Sequence, residues 1–434
     1  MIWDKNEQLS RDEYRAIQEA GLRRTVQYAY DRVPFYRRKM REIGIEPGDI
    51  RHLEDLRHLP LTTKDDLRHN YPFGLFATDL EEVVRLHASS GTTGKPIVVG
   101  YTARDLEIWT DLVARMVTLA GVTRKDVAQI CFGYGLFTGG FGLHYGLERA
   151  GATVIPSSSG NTEKQLMLME DFGTTVLVST PSYALYMAEV AQQMGIDPAK
   201  DLNVKLGLFG GEPWSESMRK EIEARWGMTA TDNYGLSEIG GPGFAGECFC
   251  RCGMHIAEDH FIAEILDRDN FQPLGPGEYG ELVITTLTKE ALPIIRYRTK
   301  DITRLFTEPC ACGRTTMRME KVTGRTDDML IIRGVNVFPS QIESVLMEVK
   351  GVSPFYQLVV DRQGYLDTLE VHVELLPDYF TDNYADLKAL EQQIEKKLYA
   401  VLSVTARVKL LEYNSIERTT GKAKRVIDKR PKLI

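Results

Sequence analysis

The chain has 434 residues, 43% hydrophobic and 26% charged, which is typical of a soluble globular protein with two or three domains. Its formal net charge of -8 argues against a protein that binds nucleic acid through bulk phosphate attraction. The first residues are polar and acidic, so no secretory signal is expected, and no run approaches the ~18 apolar residues of a membrane span. We therefore expect a cytoplasmic protein.

The N-terminal region is predicted to be helical, with Thr62 or Thr63 as an N-cap before acidic first-turn residues. Two strands, "EEVVRLHA" and "PIVVGYT", are predicted on either side of a loop rich in Ser, Thr and Gly. Thr102 and Asp105 fit a capping box. The helix that follows places one apolar face at helical spacing: Leu106, Trp109, Val113 and Met116.

The middle of the chain alternates short apolar runs with helical patterns: "VAQICFG", "GATVIPS", "TTVLVSTP" and "VKLGLFGG". This alternation predicts an α/β domain with a mainly parallel sheet. From about residue 257 the pattern changes to strands separated by turn signals such as "PLGPGEYG". The last ~100 residues form a candidate second domain of α+β type, with helical spacing at Leu387, Leu390, Ile394 and Leu398.

The stretch "HASSGTTGKPIVVGYT", residues 87–102, has the composition of a phosphate-binding loop. It is not a Walker loop, because that motif needs four residues between the first Gly and Gly-Lys and then opens a helix. Its glycines nevertheless permit close backbone approach to an anion, its hydroxyls can donate to phosphate oxygens, and Lys95 supplies positive charge. The alternative is a solvated hairpin turn.

Further motifs follow in order: "DNYGLSEIGGPG" (232–243), "YRTKDIT" (297–303, with Asp301 expected at the start of a strand), "GRTDDMLIIRGVNV" (324–337) and "RTTGKAKR" (418–425). Together with the loop, they resemble the adenylate-forming enzymes, which include acyl-CoA synthetases and luciferases. Within that superfamily, "SSGTTGKP", "TLTKEALPIIRYRTKDITRL" and "GKAKRVIDKR" look like the forms found in phenylacetate–CoA ligases. The resemblance runs from about residue 5 to the C-terminus.

The resemblance implies a large N-terminal adenylation domain, residues 1–326, with mixed sheets and a β-rich subdomain, and a small mobile α+β C-terminal domain, residues 327–434. It implies ATP-dependent ligation of an aryl-acetic acid, phenylacetate first, to coenzyme A through an acyl-adenylate, with release of AMP and pyrophosphate. Indole-acetate or a substituted aryl-acetate fits the same residue types. An enzyme of the same fold that stops at adenylation, or passes the acyl group to a protein thiol, is the alternative.

By the same resemblance, the β- and γ-phosphates of ATP would be held by Ser89, Ser90, Gly91, Thr92, Thr93, Gly94 and Lys95. The rest of the nucleotide site would comprise Gly211, Glu212, Asp232, Asn233, Tyr234, Gly235, Ser237, Asp301 and Arg325. Glu238 would hold Mg²⁺, which prefers carboxylate oxygen, and Asp301 would accept the ribose hydroxyls. Lys422 would stabilise the adenylation transition state, with Lys424 as a competing choice.

The acid pocket is expected to use aromatic walls and close-approach glycines. Its candidates are Tyr134, Phe137, Phe141, Gly210, Gly240 and Pro242, with core packing as the alternative for each aromatic. The resemblance also makes Asp327 a hinge about which the C-terminal domain rotates between half-reactions. That rotation would withdraw Lys422 and bring the loop of Gly334 towards the coenzyme A channel.

Five of the six cysteines fall in two groups, "ECFCRCGMH" and "PCACG", and such clusters in a long cytosolic chain are typical of metal ligands. We predict a structural Zn²⁺ site made by Cys248, His255, Cys310 and Cys312, in which Cys250 or Cys252 could replace a ligand. Free thiols on loops are the alternative. Cys131 stands apart and is predicted to be a buried small hydrophobe.

The expected partners are the aryl acid, ATP and coenzyme A, with no nucleic acid, no membrane and a homodimeric assembly. A zinc-containing binding module without catalytic activity is a different class of function. It would not need both Asp301 and Lys422 in these contexts, and the chain lacks the aromatic and basic interleaving of a nucleic-acid binder.

Overall fold

The computed structural model describes residues 1–89, 96–333, 335–363, 366–381, 383–419 and 423–430. The chain divides into two compact units. Unit 1 comprises Met1–Ser179, Leu202–Gly211 and Thr229–Val322, and unit 2 comprises Thr180–Asp201, Glu212–Met228 and Thr323–Ile434. Within the described ranges, no helix has the length and apolar character needed to cross a bilayer.

Unit 1 is a mixed α/β structure. Its helices are α1 Arg11–Arg32, α2 Pro34–Glu42, α3 Lys64–His69, α4 Ala103–Ala120, α5 Thr138–Ala150 and α6 Thr162–Asp171. Its strands are β1 Arg85–Ala88, β2 Val98–Tyr101, β3 Val127–Ile130, β4 Thr153–Ile155, β5 Val176–Ser179, β6 Leu206–Phe209, β7 Thr229–Leu236, β8 Gly241–Glu247, β9 Met254–Ile256, β10 Phe261–Leu266, β11 Gly280–Thr286, β12 Tyr297–Thr303, β13 Leu305–Phe306 and β14 Arg318–Met319.

A nine-stranded sheet of order β13-β14-β9-β8-β7-β6-β5-β3-β4 organises unit 1. The strands from β4 to β7 are parallel, as the alternating pattern predicts, and β8, β9, β14 and β13 extend the sheet antiparallel. Strands β10, β11 and β12 run antiparallel to one another. Strand β7 therefore pairs in parallel with β6 on one side and antiparallel with β8 on the other.

Several local predictions for unit 1 are confirmed. Thr63 and Asp66 form a capping box on α3, and Thr102 and Asp105 form another on α4. The predicted apolar face of α4 is buried at Trp109, Val113 and Met116, while Leu106 is only half-buried. Cys131 is 1% exposed. These boundaries follow from short-range hydrogen bonds and periodic burial, which a sequence pattern records directly.

Unit 2 contains α7 Pro181–Gln193, α8 Pro198–Asp201, α9 Glu216–Trp226, β15 Gly324–Arg325, β16 Leu330–Ile332, β17 Val335–Val337, α10 Pro339–Met347, β18 Val352–Gln363, β19 Leu366–Leu375, α11 Tyr384–Leu402, β20 Ala406–Leu411 and β21 Val426–Asp428. Its main sheet has the order β20-β19-β18-β21. Ile394 and Leu398 of α11 and Ile342 and Leu346 of α10 are buried in its core. The predicted α+β character of the C-terminal region is confirmed.

The predicted boundary between residues 326 and 327 lies just after Thr323, where the last segment of unit 2 begins. Unit 2 also takes in α7, α8 and α9, which the prediction placed in the N-terminal domain. A division by compactness does not test where the chain pivots, so the functional boundary at Asp327 stays a prediction.

Candidate active site

The serine- and glycine-rich loop connects two paired strands. Strands β1 and β2 are antiparallel neighbours, and the backbone N–H of Ser89 donates to the Ile97 carbonyl at 2.9 Å. The Ser89 Oγ accepts from the Ile97 N–H at 3.2 Å. The stretch therefore lies between two paired strands, as predicted. Its residues Ser90, Gly91, Thr92, Thr93, Gly94 and Lys95 lie outside the described residues.

Strand β7 carries the second motif to the carboxyl end of β6. The Asn233 amide donates to the Phe209 carbonyl, and Gly210 follows directly. A Cβ on Gly210 would lie 2.5 Å from the Asn233 carbonyl oxygen, so only glycine permits this approach. Asp232, 8% exposed, donates its backbone N–H to Glu247 at 2.8 Å. Gly211, at φ +84°, ends this segment of unit 1.

Tyr234 and Asp301 join two motifs that are 67 residues apart in the chain. The Tyr234 hydroxyl donates to Asp301 Oδ2 at 2.5 Å. Asp301 is buried, with 3% of the residue exposed. The expectation that Asp301 begins a strand is wrong, because β12 begins four positions earlier at the buried Tyr297. The Tyr234 phenol and the Asp301 carboxylate therefore lie in contact, and the ribose-binding role of Asp301 stays a prediction.

The turn after β7 joins the nucleotide motif to the predicted acid pocket. Ser237 Oγ lies 3.1 Å from Thr138 Oγ1, at the N-terminus of α5. Glu238 is 5% exposed and makes no hydrogen bond or ion pair within the described ranges. A buried carboxylate without a hydrogen-bond donor suits a hard cation, which is compatible with the expected Mg²⁺ ligand.

The aromatic residues of the predicted acid pocket form a cluster. The rings of Tyr134 and Phe141 meet edge-on at 5.2 Å, and the Tyr134 hydroxyl lies 3.1 Å from His144 Nδ1. Phe137 packs against Phe132 at 5.8 Å. Pro242 approaches α5 at Gly142, where an added Cβ would be 2.8 Å from the proline ring, and Gly240 lies two residues before Pro242.

Lys289 is a candidate that the sequence reasoning did not identify. Its Nζ is buried, has no hydrogen-bond partner among the described residues, and lies 4.8 Å from the centre of the Tyr101 ring. It lines a cavity of about 20 Å³ together with Gly240. Burial lowers the pKa of Lys289 to about 8, although Asp105 and Glu238 nearby oppose this. Its position in "TLTKEALP" carries no spacing signal that marks it as buried.

The remaining predicted residues belong to unit 2. Arg325 Nε lies 2.9 Å from Asp327 Oδ1, so the predicted ribose or phosphate ligand pairs with the predicted hinge. Glu212 accepts hydrogen bonds from Ser182 and from the backbone N–H of Ala423. Gly334 and Lys422 lie outside the described residues, whereas Lys424 lines a cavity of about 80 Å³.

The four predicted metal ligands converge in unit 1. Donor atoms of Cys248, His255, Cys310 and Cys312 all lie within 4.8 Å of one another. The Sγ atoms of Cys248 and Cys310 are 3.7 Å apart, and Cys312 Sγ is 3.5 Å from His255 Nε2. Bond lengths of about 2.3 Å to sulfur and about 2.1 Å to nitrogen give tetrahedral edges of roughly 3.6–3.8 Å, so the set fits Zn²⁺.

The surroundings of this cluster also suit a metal. Thr316 Oγ1 lies 2.7 Å from His255 Nδ1, which leaves Nε2 for a metal. Burial, together with Arg314 and Arg318, lowers the pKa of His255 to about 3, so the imidazole is neutral. Cys252 Sγ also approaches Cys310 Sγ at 3.5 Å but receives a hydrogen bond from Arg318. Cys250 packs beside the cluster, half-buried.

The sequence matches two family descriptions and several known ligases. The family described as "AMP-binding enzyme" matches residues 40–287, and "AMP-binding enzyme C-terminal domain" matches residues 334–430. Phenylacetate-coenzyme A ligase of Escherichia coli (strain K12) is 50% identical over 429 residues, covering 98% of this chain and 97% of that protein.

Solved structures of 2-hydroxyisobutyryl-CoA ligase share the fold at 29% identity and cover 98% of this chain. The complex with R3-HIB-AMP in the postadenylation state has a TM-score of 0.92 and is covered to 91%. The complex with 2-HIB-AMP and CoA in the thioesterification state has a TM-score of 0.73 and is covered to 92%. The chain belongs to the adenylate-forming AMP-binding enzymes, in the family of the phenylacetate–coenzyme A ligases.

Proposed function

We propose that this protein ligates an aryl-acetic acid, phenylacetate first, to coenzyme A at the expense of ATP, releasing AMP and pyrophosphate. The observation that carries the proposal is the similarity to a phenylacetate-coenzyme A ligase along 98% of the chain. The contact between Tyr234 and Asp301 supports it, because this contact joins two predicted nucleotide motifs that lie on strands of two different sheets.

In the first half-reaction, a carboxylate oxygen of the acid attacks the α-phosphorus of ATP, and the bond to pyrophosphate breaks. Asp301 accepts the ribose hydroxyls, and the loop from Ser89 to Lys95 donates to the β- and γ-phosphates. The ammonium of Lys422 stabilises negative charge in the transition state. Glu238 would hold Mg²⁺, which would supply positive charge to neutralise the phosphates.

In the second half-reaction, the thiol of coenzyme A attacks the acyl carbon of the mixed anhydride. AMP leaves and keeps the oxygen that the carboxylate contributed, and the thiol proton passes to solvent. The activation is needed because oxide is a very poor leaving group, whereas AMP departs readily. Rotation about Asp327 exchanges Lys422 for the Gly334 loop between the two steps.

The acid is bound between Tyr134, Phe137 and Phe141, with Gly240 and Pro242 on the nucleotide side. Tyr134 and Phe141 make an edge-to-face contact, and the aromatic ring of the substrate can pack against them in the same way. Arg85 lies 5.2 Å from the centre of the Phe141 ring and can attract an acid towards this region. This composition favours an aryl side chain over an aliphatic one.

A structural Zn²⁺ held by Cys248, His255, Cys310 and Cys312 is part of the proposal. It would connect Cys248, directly after β8, and His255 of β9 with the loop before β14, and the spacing of the donor atoms supports it. None of these ligands is among the proposed nucleotide or acid residues, so the metal stabilises the fold and leaves the chemistry to other groups.

The enzyme acts in the cytoplasm, where ATP and coenzyme A are available, and it acts as a homodimer. The test is a panel of aryl and aliphatic acids assayed for AMP release with coenzyme A present. We expect phenylacetate to give the largest kcat/KM. AMP release that needs no acid, or a product other than the free coenzyme A thioester, would contradict the proposed function in favour of another acceptor.

A further inference from the structure

Two carboxylates from far earlier in the sequence bind the chain on either side of Lys422: Glu189, buried in α7, and Glu212, half-buried in the segment before α9. Arg418 lies four residues before Lys422, and Ala423 follows it directly. Both contacts lie within unit 2, between the segments containing α7 and α9 and the C-terminal segment. The residues that carry these contacts play no part in the mechanism described above, except that Glu212 is a predicted nucleotide residue.

Glu189 of α7 and Glu374 of β19 share the guanidinium of Arg418. Arg418 Nη2 lies 2.6 Å from Glu374 Oε1, and its Nε lies 3.2 Å from Glu189 Oε2. The side chains of Arg418, Glu189 and Glu374 are 6%, 4% and 0% exposed. Arg418 also lies 3.6 Å from the centre of the Phe355 ring. The two carboxylates and the Phe355 ring therefore fix the orientation of the Arg418 guanidinium.

Glu212 binds the residue that follows Lys422. Its Oε2 accepts the backbone N–H of Ala423 at 2.9 Å, and its Oε1 accepts the N–H of Ser182 at 2.8 Å as well as the Ser182 hydroxyl. A carboxylate that accepts two backbone N–H groups makes strong, charge-assisted bonds. The carboxylate thus connects the start of α7 to the residue after Lys422.

A third contact repeats the pattern in the opposite direction. Glu343 of α10 accepts the backbone N–H of Ser215, the N-cap of α9, at 2.8 Å. Arg425 Nη2 lies 3.2 Å from the same carboxylate. Three carboxylates therefore connect residues before Asp327 with residues after it. A rotation about Asp327 moves these two sets apart, so it must break all three contacts.

We propose that Glu189 and Glu212 are positioning residues for the adenylation half-reaction. They bind the chain on either side of Lys422, at Arg418 and at Ala423, only while Lys422 acts on ATP. The inference rests on the proposed function. A contact that exists only in the adenylation arrangement stabilises that arrangement relative to the thioester-forming one by the free energy of the contact. Weakening it therefore slows adenylation and leaves thioester formation, which uses the other arrangement, undiminished.

The test is Glu189→Gln, which keeps shape but removes the charge opposite Arg418. Adenylation is measured as acid-dependent ATP–pyrophosphate exchange, and thioester formation is measured separately from preformed phenylacetyl-adenylate and coenzyme A. We expect exchange to fall only roughly tenfold, because Glu374 still pairs with Arg418 after Glu189 is neutralised, with thioester formation equal or faster. Glu221→Gln is the matched control, because Glu221 pairs with Arg225 on its own helix α9.

Ser182→Ala is the second variant and protects against misfolding of the first. It removes the hydroxyl that orients Glu212, and we expect the same direction with a loss of roughly threefold. Equal losses in both half-reactions would mean a structural role and would overturn the proposal. So would unchanged exchange activity in Glu189→Gln.

Backbone hydrogen–deuterium exchange separates this inference from the proposed function. In Glu189→Gln, peptides from 412–430 should exchange faster than in the unsubstituted protein and in Glu221→Gln. If the unsubstituted protein shows no acid-dependent pyrophosphate exchange, the proposed function fails. Unchanged deuterium uptake in 412–430 overturns the positioning contacts whatever the activity.

Discussion

The Tyr234 hydroxyl donates to the Asp301 carboxylate, and this bond joins strand β7 to strand β12. It orients the Asp301 carboxylate, which we propose accepts the ribose hydroxyls. Asp301 is 3% exposed, so little of this residue contacts solvent.

Asp301→Asn is expected to raise the KM for ATP by roughly 10- to 100-fold, because an amide leaves a ribose hydroxyl poorly paired. Tyr234→Phe should raise it less, by roughly threefold to tenfold. The control is Tyr279→Phe, since Tyr279 also donates to a carboxylate, that of Glu320, but at the surface. An unchanged KM in Asp301→Asn, by steady-state kinetics or calorimetry, would contradict the ribose assignment.

Gly235→Ala should destabilise the protein severely. The added Cβ would lie 1.9 Å from the Gly241 carbonyl oxygen, and two backbone strands cannot separate without breaking the ladder between β7 and β8. We expect a cost above about 3 kcal/mol, measured by chemical denaturation. Gly48→Ala is the control, because no atom lies within 4 Å of its added Cβ. Equal stability of the two variants would refute the close approach.

Zinc removal should lower the thermal midpoint while catalysis at low temperature survives. We expect one Zn²⁺ per chain by elemental analysis, lost in Cys310→Ser and in His255→Ala, with Tm lower by roughly 5–10 °C. Cys131→Ser, far from the cluster in sequence and buried, should keep its metal. Purified protein without zinc, or full zinc content in Cys310→Ser, would contradict the site.

Acid should destabilise the protein through Asp259. Burial alone would raise the pKa of Asp259, but the hydrogen bonds and charge of Arg115, at 2.7 Å, lower it to about 2. Because the folded pKa is depressed, its contribution is present above the unfolded pKa of about 3.9 and is lost as pH falls through about 2.

Asp259→Asn should therefore cost roughly 2–4 kcal/mol near neutral pH, and its difference from the unsubstituted protein should shrink between about pH 4 and pH 2. Denaturation measured across that range is the check, with the exposed Asp378→Asn as control. A difference that stays constant with pH would exclude the ionised pair as its source.

Motif order and local periodicity predicted much of the fold. The capping boxes at Thr63 and Thr102 depend on residues three positions apart, which the sequence shows directly. The convergence of Cys248, His255, Cys310 and Cys312 was also predictable, because cysteines in tight groups and a nearby histidine have few other uses in such a chain.

Long-range contacts between charged residues were not predictable. Glu189 and Arg418 are 229 residues apart, and a buried ion pair has the same residue types as a solvated surface pair. The burial of the Lys289 ammonium has the same explanation. Tertiary packing decides these cases, and a single sequence carries no record of which charges it encloses.

The fate of the carboxylate oxygen tests the central claim most directly. Phenylacetate labelled with ¹⁸O in its carboxylate is incubated with the protein, ATP and coenzyme A, and the masses of the products are measured by mass spectrometry. Attack on the α-phosphorus predicts one ¹⁸O in AMP and none in pyrophosphate. Label in pyrophosphate or inorganic phosphate, or AMP without label, would contradict an acyl-adenylate intermediate.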